Sequence, residues 1–310
     1  MTVRKVVITD WGFPSLDPER AVFRGHDIDL VAHQCKTEDE VAAVVADADA
    51  VMVQWAPVGA EAIGSMKRCK GIVRYGIGVD NVDLAAAKKR GIPVRNVPDY
   101  CLDEVADHSF ALMLALQRQV TTVAERVKRG TWSITPPLNL PPLRESTLGL
   151  VGFGRVARLV VGRARAFGMR VVAYDPLVTE KEIASGGAEA VSFDDLLEVS
   201  DVVSLHCPLN ESTRHMINRA TLGRMKPLAL LVNTSRGGLV DLNAVVDTLR
   251  EGRIAGAALD VFENEPLPPD HPFLSLPGAL ATSHIAWFSS ASIGQLQRRA
   301  AEQVLDLLRS

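Results

Sequence analysis

Three side chains in the last third of the chain have the types needed to bind an organic acid and move a proton. Arg236 follows the apolar run Ala229–Asn233, Glu265 follows Gly256–Leu259, and His284 follows Leu280–Thr282. An arginine can fork onto a carboxylate through two parallel N–H donors. An imidazole can pass a proton to an oxygen near neutral pH, and a carboxylate on its other ring nitrogen fixes the tautomer and raises its basicity. Position alone does not single out His284, because His206 follows the run Val202–Leu205 in the same way. An arginine beside Gly237 and Gly238 is also an ordinary surface feature, and Asp260-Val261-Phe262-Glu263 an ordinary loop start.

A second constellation lies upstream. The run Leu148–Val151 leads into Gly152-Phe153-Gly154-Arg155-Val156-Ala157 and then a helical pattern to Phe167. In this strand–turn–helix setting Gly152 permits the tight turn, Gly154 lets a pyrophosphate approach the backbone, and Ala157 keeps the helix close to the sheet. The helix start offers N–H groups and a partial positive charge to phosphates. The next run ends in Tyr174-Asp175, an acid about twenty residues on, where a carboxylate can accept hydrogen bonds from an adenine ribose. Asp175 would repel a 2′-phosphate, and Pro176-Leu177 supply no compensating arginine, so the expected cofactor is NAD and not NADP.

These residues need elements to hold them. Short apolar runs alternate with helical patterns, which predicts a parallel α/β architecture. The expected strands of the first part are Lys5–Thr9, Asp29–Val31, Ala50–Val53, Ile72–Tyr75 and Val94–Asn96, with helices such as Glu38–Ala46, Ala60–Met66 and Leu84–Arg90 between them. One long helix is expected from Asp103 to Val120. The proline-rich stretch Gly130–Pro142 follows, either an excursion onto a second subunit or a solvated linker. The second series has strands Leu148–Val151, Val171–Tyr174, Val202–Leu205, Ala229–Asn233, Gly256–Leu259 and Leu280–Thr282, a doubly wound dinucleotide fold. The chain of 310 residues is long for one core, and a net charge of -3 gives no footprint for nucleic acid or anionic membrane. No apolar run is long enough for a membrane span. The four cysteines form no CxxC pair, so free thiols, no metal site and a cytoplasmic location are expected.

Several longer segments resemble the D-isomer-specific 2-hydroxyacid dehydrogenases. They are Asn233-Thr-Ser-Arg-Gly-Gly-Leu-Val-Asp241, Ala258-Leu-Asp-Val-Phe-Glu-Asn-Glu-Pro266, Ser283-His-Ile-Ala-Trp287 and Arg74-Tyr-Gly-Ile-Gly-Val-Asp-Asn-Val-Asp83. The similarity covers nearly the whole chain. It implies hydride transfer between NAD and C2 of a small 2-oxo or D-2-hydroxy acid. Arg236 would bind the substrate carboxylate and carbonyl, His284 would be the proton donor, and Glu265 its partner. Gly76, Ile77 and Gly78 would offer N–H groups to the carboxylate, with Arg74 nearby. Cys207, Pro208 and Thr213 would line the adenosine half of the cofactor, and Thr234, Ser235 and Asp260 the nicotinamide half. The family's usual proline before the histidine is Ser283 here.

The segments His284–Ser289 and Pro98–His108 look most like the branch that includes the C-terminal binding proteins. Trp287 would wall the substrate pocket or pack between domains, and Trp55 has the same two readings. If both face the pocket, they favour an apolar or aromatic substituent on the acid. The resemblance further implies a discontinuous, flavodoxin-like substrate domain (residues 1–99 and 286–310), a Rossmann NAD-binding domain (100–285) and a homodimer formed through the latter. The C-terminal pattern Gly294–Arg309 suits the return to the first domain. Three alternatives stand beside this reading: an NAD-sensing corepressor-like scaffold, a formate dehydrogenase, and phosphoglycerate dehydrogenase specifically. Glu265 argues against the second, where a glutamine-like partner is expected. The chain's end at Ser310 leaves no room for the regulatory domain that some members of the third carry.

Overall fold

The computed structural model describes residues 3–309, which fall into two compact units, 3–101 with 288–309 and 102–287. The first unit runs β1 (Arg4–Ile8), α1 (Asp17–Phe23), β2 (Ile28–Ala32), α2 (Glu38–Val45), β3 (Ala50–Val53), α3 (Ala60–Ser65), β4 (Ile72–Arg74), α4 (Leu84–Lys89) and β5 (Val94–Asn96). The second runs α5 (Leu102–Gln117), α6 (Val120–Lys128), β6 (Thr147–Val151), α7 (Arg155–Ala166), β7 (Arg170–Tyr174), α8 (Glu180–Ser185), β8 (Glu189–Ala190), α9 (Phe193–Val199), β9 (Val202–Leu205), α10 (Arg219–Leu222), β10 (Leu230–Asn233), α11 (Leu242–Arg250), β11 (Gly256–Leu259) and β12 (Ala279–Ala281). The chain then re-enters the first unit as α12 (Ser290–Arg309).

Both sheets are wholly parallel, with orders β2-β1-β3-β4-β5 and β12-β11-β10-β9-β6-β7-β8. Strands buried on both faces need near-continuous apolar runs, and Val6, Val7 and Ile8 are all fully buried. The two-residue period shows in β6: Leu148 and Leu150 enter one apolar cluster, while Val151 enters the cluster on the other face. In the first unit α12 packs on α1, β3 and β4. It lies so close that a Cβ on Gly71 would stand 2.6 Å from Leu307 Cδ1. No helix among the described residues is long and apolar enough to cross a membrane.

Two expectations are corrected. The single helix Asp103–Val120 is two helices, because Gln119 adopts a left-handed conformation (φ 52°) and its buried side chain clasps the Leu138 backbone, donating to the carbonyl (2.6 Å) and accepting from the N–H (3.0 Å). The second sheet also holds one more strand than expected, the two-residue β8.

Candidate active site

The carboxyl ends of the second sheet carry the candidate residues in spatial order. Asp175 follows β7, Gly152 follows β6, His206 follows β9, Arg236 follows β10, Asp260 follows β11, and His284 lies just beyond β12. The chain winds outward from β6 to β8, then returns to the other side of β6 as β9. The crevice between β6 and β9 is therefore the topological switch point, where open α/β sheets take their ligands.

Gly152 stands in that crevice. It has φ 94°, and a Cβ there would meet the His206 carbonyl at 2.7 Å, so both handedness and space demand glycine. Gly154 differs. A Cβ on it would meet nothing within 4 Å, so no protein atom explains its being glycine. It is exposed and caps α7, where N–H groups lack helical partners. Ala157 is fully buried, as close packing of α7 on the sheet requires. The half-buried Asp175 carboxylate accepts from Phe153 N–H (2.8 Å) and Leu177 N–H (2.9 Å), tying the glycine turn to the end of β7. An open backbone cradle at a helix start, with an acid on the next strand, fits a dinucleotide. Arg155 is exposed and Val156 half-buried at the start of α7. Cys207 is half-buried, its thiol pushed up to about 11 by burial. Thr213 organises its own loop: its hydroxyl donates to the Pro208 carbonyl (2.7 Å) and accepts from Asn210 N–H (2.8 Å).

At the reacting end, Glu265 and His284 meet. His284 Nδ1 lies 2.8 Å from Glu265 Oε2, and Glu265 Oε1 accepts from Phe262 N–H at 2.8 Å. Burial opposes ionisation of Glu265, but the bonds to His284 and Phe262 outweigh it and hold its carboxyl below the usual value. An ionised carboxylate only accepts, so Nδ1 carries the proton in this pair. His206 is another matter. Burial lowers its pKa to about 4, and Nε2 lies 2.9 Å from Ser204 Oγ, so it stays neutral near pH 7.

The turn that aims His284 is held from several sides. His284 has φ 56°, a conformation that costs a non-glycine residue roughly 1–2 kcal/mol. Its N–H donates to the Asp260 carbonyl (2.8 Å), and its own carbonyl accepts from Trp287 Nε1–H (2.8 Å). The Asp260 carboxylate, 1% exposed, accepts from Ile285 N–H (3.0 Å), Ala286 N–H (2.9 Å) and the Thr282 hydroxyl (2.5 Å). Burial disfavours its charge, yet the bonds from Thr282 and the two N–H groups, with the His108 ring 3.6 Å away, bring its pKa down to about 2. Asp260, expected beside the nicotinamide, anchors the histidine turn here.

Arg236 sits half-buried at the neighbouring strand end, and its Nη1 donates to the Ser235 carbonyl at 2.7 Å. The fully buried Asn233 shapes that loop, accepting from Ser235 N–H (3.0 Å) and donating to the Arg236 carbonyl (2.8 Å). A Cβ on Gly237 would overlap the Phe262–Glu263 peptide, so the loops after β10 and β11 can touch only across glycine. The Thr234 hydroxyl is paired with Ser109 (2.6 Å) and that of Ser235 donates to the Leu205 carbonyl (2.7 Å).

In the first unit, Gly76 has φ 142°, and a Cβ there would overlap the Arg74 guanidinium. The Gly76 N–H, expected to face a carboxylate, donates to the Arg74 carbonyl at 3.0 Å. Those of Ile77 and Gly78 have no backbone acceptor among the described residues. The Arg74 guanidinium stacks over Trp55 at 5.2 Å, and Trp55 N–H donates to Asp10 at 2.6 Å. Sequence reasoning missed Asn233, whose place at a strand end before Thr-Ser-Arg-Gly-Gly is the signature of an Asx turn. It also missed Thr282 and His108 as partners of Asp260; no local signal marks contacts so far apart in the chain.

Comparison with known proteins identifies the family. Residues 110–286 match the family model for the D-isomer specific 2-hydroxyacid dehydrogenase, NAD binding domain. The chain is 42% identical over 265 residues to the glyoxylate reductase of Korarchaeum cryptofilum, covering 84% of this chain and 80% of that protein. It is 39% identical over 279 residues to the D-3-phosphoglycerate dehydrogenase of Methanocaldococcus jannaschii, covering 88% of this chain but only 52% of that protein. The D-lactate dehydrogenase from Aquifex aeolicus, solved with NAD and lactic acid, superposes with a TM-score of 0.89 at 29% identity, over 98% of this chain and 95% of that one. With the glycine turn, the acid after β7 and these likenesses together, the chain belongs to the D-isomer-specific 2-hydroxyacid dehydrogenases, NAD-dependent oxidoreductases with a Rossmann fold.

Proposed function

We propose that this chain reduces a small 2-oxo acid to the D-2-hydroxy acid, with His284 as the proton donor. The observation that carries the reading is the 2.8 Å pair of His284 Nδ1 with the Glu265 carboxylate, on a turn that Asp260 holds in the left-handed conformation. Gly154 and Asp175 would hold the dinucleotide, which when bound would supply a hydride as NADH in one direction and take one up as NAD in the other. Arg155, Val156, Cys207, Pro208, Thr213, Thr234 and Ser235 would line its path. Arg236 forks onto the substrate carboxylate. Glu265 stabilises the imidazolium of His284, and the Nε2 proton passes to the C2 oxygen as that oxygen gains charge. For the first unit, we assign anion binding to the Ile77 and Gly78 N–H groups, beside Gly76 and the Arg74 guanidinium. Trp287 holds the His284 turn through its indole N–H and offers its ring to the substrate.

The test is NADH oxidation across glyoxylate, hydroxypyruvate, phosphohydroxypyruvate, phenylpyruvate and a branched-chain 2-oxo acid. Turnover on at least one is expected, with kcat falling about 100-fold or more in His284→Ala. NADH should be preferred to NADPH by tens-fold, since a charged hydrogen bond is worth about 1.5–3 kcal/mol. No turnover on any acid, with NADH shown to bind, overturns the reading and favours a scaffold that senses NAD.

The same chain is proposed to form a homodimer through the segment after α5. Trp132 and Ile134 are 84% and 97% exposed on a stretch of residues 130–142, and α6 has no buried residue. Large apolar side chains so placed mark a protein interface. Light scattering at micromolar concentration should give twice the chain mass, and a monomer there contradicts the proposal.

A further inference from the structure

Helix α5 carries two adjacent polar side chains that reach the loops bearing Arg236 and His284. His108 Nε2 lies 3.1 Å from Thr282 Oγ1, and the Thr282 hydroxyl donates to Asp260 Oδ1 at 2.5 Å. A hydroxyl has one proton, so with that of Thr282 on Asp260, His108 must donate from Nε2. The next residue, Ser109, donates to the Val105 carbonyl (2.7 Å) and meets Thr234 Oγ1 at 2.6 Å. With the Ser109 proton on Val105, Thr234 is the donor in that contact. Every bond in both chains then has a fixed direction, which is what locks a side-chain rotamer.

The two contacts end on different machinery. From His108 the path runs through Thr282 to Asp260, whose carboxylate holds the N–H groups of Ile285 and Ala286 and whose carbonyl holds that of His284. From Ser109, 2% exposed, it runs to Thr234, 7% exposed and two residues before Arg236. His108 itself is a quarter exposed and lies 3.6 Å from Asp260 Oδ1, too far for a direct hydrogen bond, so its grip on the turn passes through Thr282. Two adjacent residues of α5 thus register the loops after β10 and β12 against each other.

We propose that His108 and Ser109 are positioning residues for the reaction, His108 aiming His284 through Thr282 and Asp260, and Ser109 setting Arg236 through Thr234. The proposal rests on the roles given above to His284 and Arg236. It separates the two loops in kinetics: the histidine turn acts on proton delivery, so its loss appears in kcat, whereas the arginine loop acts on carboxylate binding, so its loss appears in KM. A side chain that only packs α5 would lower Tm and move both constants together.

The experiment compares wild type with His108→Leu, His108→Gln, Ser109→Ala and Thr234→Val, using the preferred 2-oxo acid, NADH fluorescence titration and thermal melts. His108→Leu should lower kcat about tenfold with the NADH Kd unchanged. His108→Gln, whose amide can donate in place of Nε2, should recover most of that loss. Ser109→Ala should raise the oxo-acid KM severalfold and leave kcat near wild type, and Thr234→Val, which breaks the same contact from the other side, should raise that KM as well. In Thr282→Val the further change His108→Leu should cost nothing more, since the relay is already cut. Wild-type kcat in His108→Leu overturns the histidine arm, as does His108→Gln being as slow as His108→Leu. An unchanged KM in both Ser109→Ala and Thr234→Val overturns the serine arm. His284→Ala separates failures: if that variant keeps its activity, the proposed role of His284 falls; if it is inactive while His108→Leu is normal, only the positioning claim falls.

Discussion

Two glycines a residue apart in one turn answer to different partners. Gly152 is forced by its own chain, through φ 94° and the His206 carbonyl behind it, whereas Gly154 opens on space that no protein atom fills. Gly152→Ala should therefore destabilise the fold by about 1–3 kcal/mol, read as a lower Tm, before any effect on ligand. Gly154→Ala should change stability by no more than about 0.5 kcal/mol and weaken NADH at least tenfold by fluorescence titration. The reverse pattern would mean that the dinucleotide does not lie on this turn. Glu265 allows a second test. Its carboxylate is held ionised against the His284 ring, so Glu265→Gln removes the charge that supports the imidazolium. The alkaline limb of kcat for 2-oxo acid reduction should move to lower pH in that variant; an unmoved limb would show that the pair does not carry the proton. At this scale the sequence spelled out residue types and strand-end positions, but Glu265 and His284 were named through the family resemblance, since position by itself left two histidines. Position could not choose between His284 and His206, because what separates them physically is burial and an unlike partner, a carboxylate at one and a serine hydroxyl at the other.

Elements were legible where local physics decides them. The runs Val6-Val7-Ile8 and Ala50–Val53 can be little else than buried parallel strands, and they are. The break between α5 and α6 was hidden, since Gln119 is neither glycine nor proline and the helical pattern continues past it; the Leu138 backbone, distant in sequence, makes the break. Strand β8 is too short and too polar to show a period. One element holds an acid that no pattern explains. Glu19 on α1 is fully buried, accepting from Tyr75 Oη–H (2.8 Å) and from Gln297 Nε2–H (2.9 and 3.1 Å) of α12. Burial raises its pKa, only partly offset by these bonds. A raised folded-state pKa contributes stability below the unfolded value, 4.5, and loses it as pH rises through the folded one. Glu19→Gln should accordingly melt a few degrees above wild type at pH 8, with the gap closing below pH 4.5. A gap that does not change with pH would show that the carboxyl is not the cause.

On the scale of the whole molecule, each unit closes its own core, but only residues 102–287 do so from a continuous stretch. The first unit is interrupted, and α12 is the element that completes it, seated where Gly71 has no room for a Cβ against Leu307. That placement sets an order of events during synthesis. Domains usually fold as they leave the ribosome, the earliest first. Here β1 to β5 emerge first yet wait, one part of their apolar surface uncovered, until the whole of 102–287 has been made. A nascent chain arrested after Trp287 should show protease protection over the second unit and continued cleavage in the first, and release of α12 should remove that cleavage. The part of the protein made first is expected to be the last to become native, and the interval between the two is when a chaperone would find it.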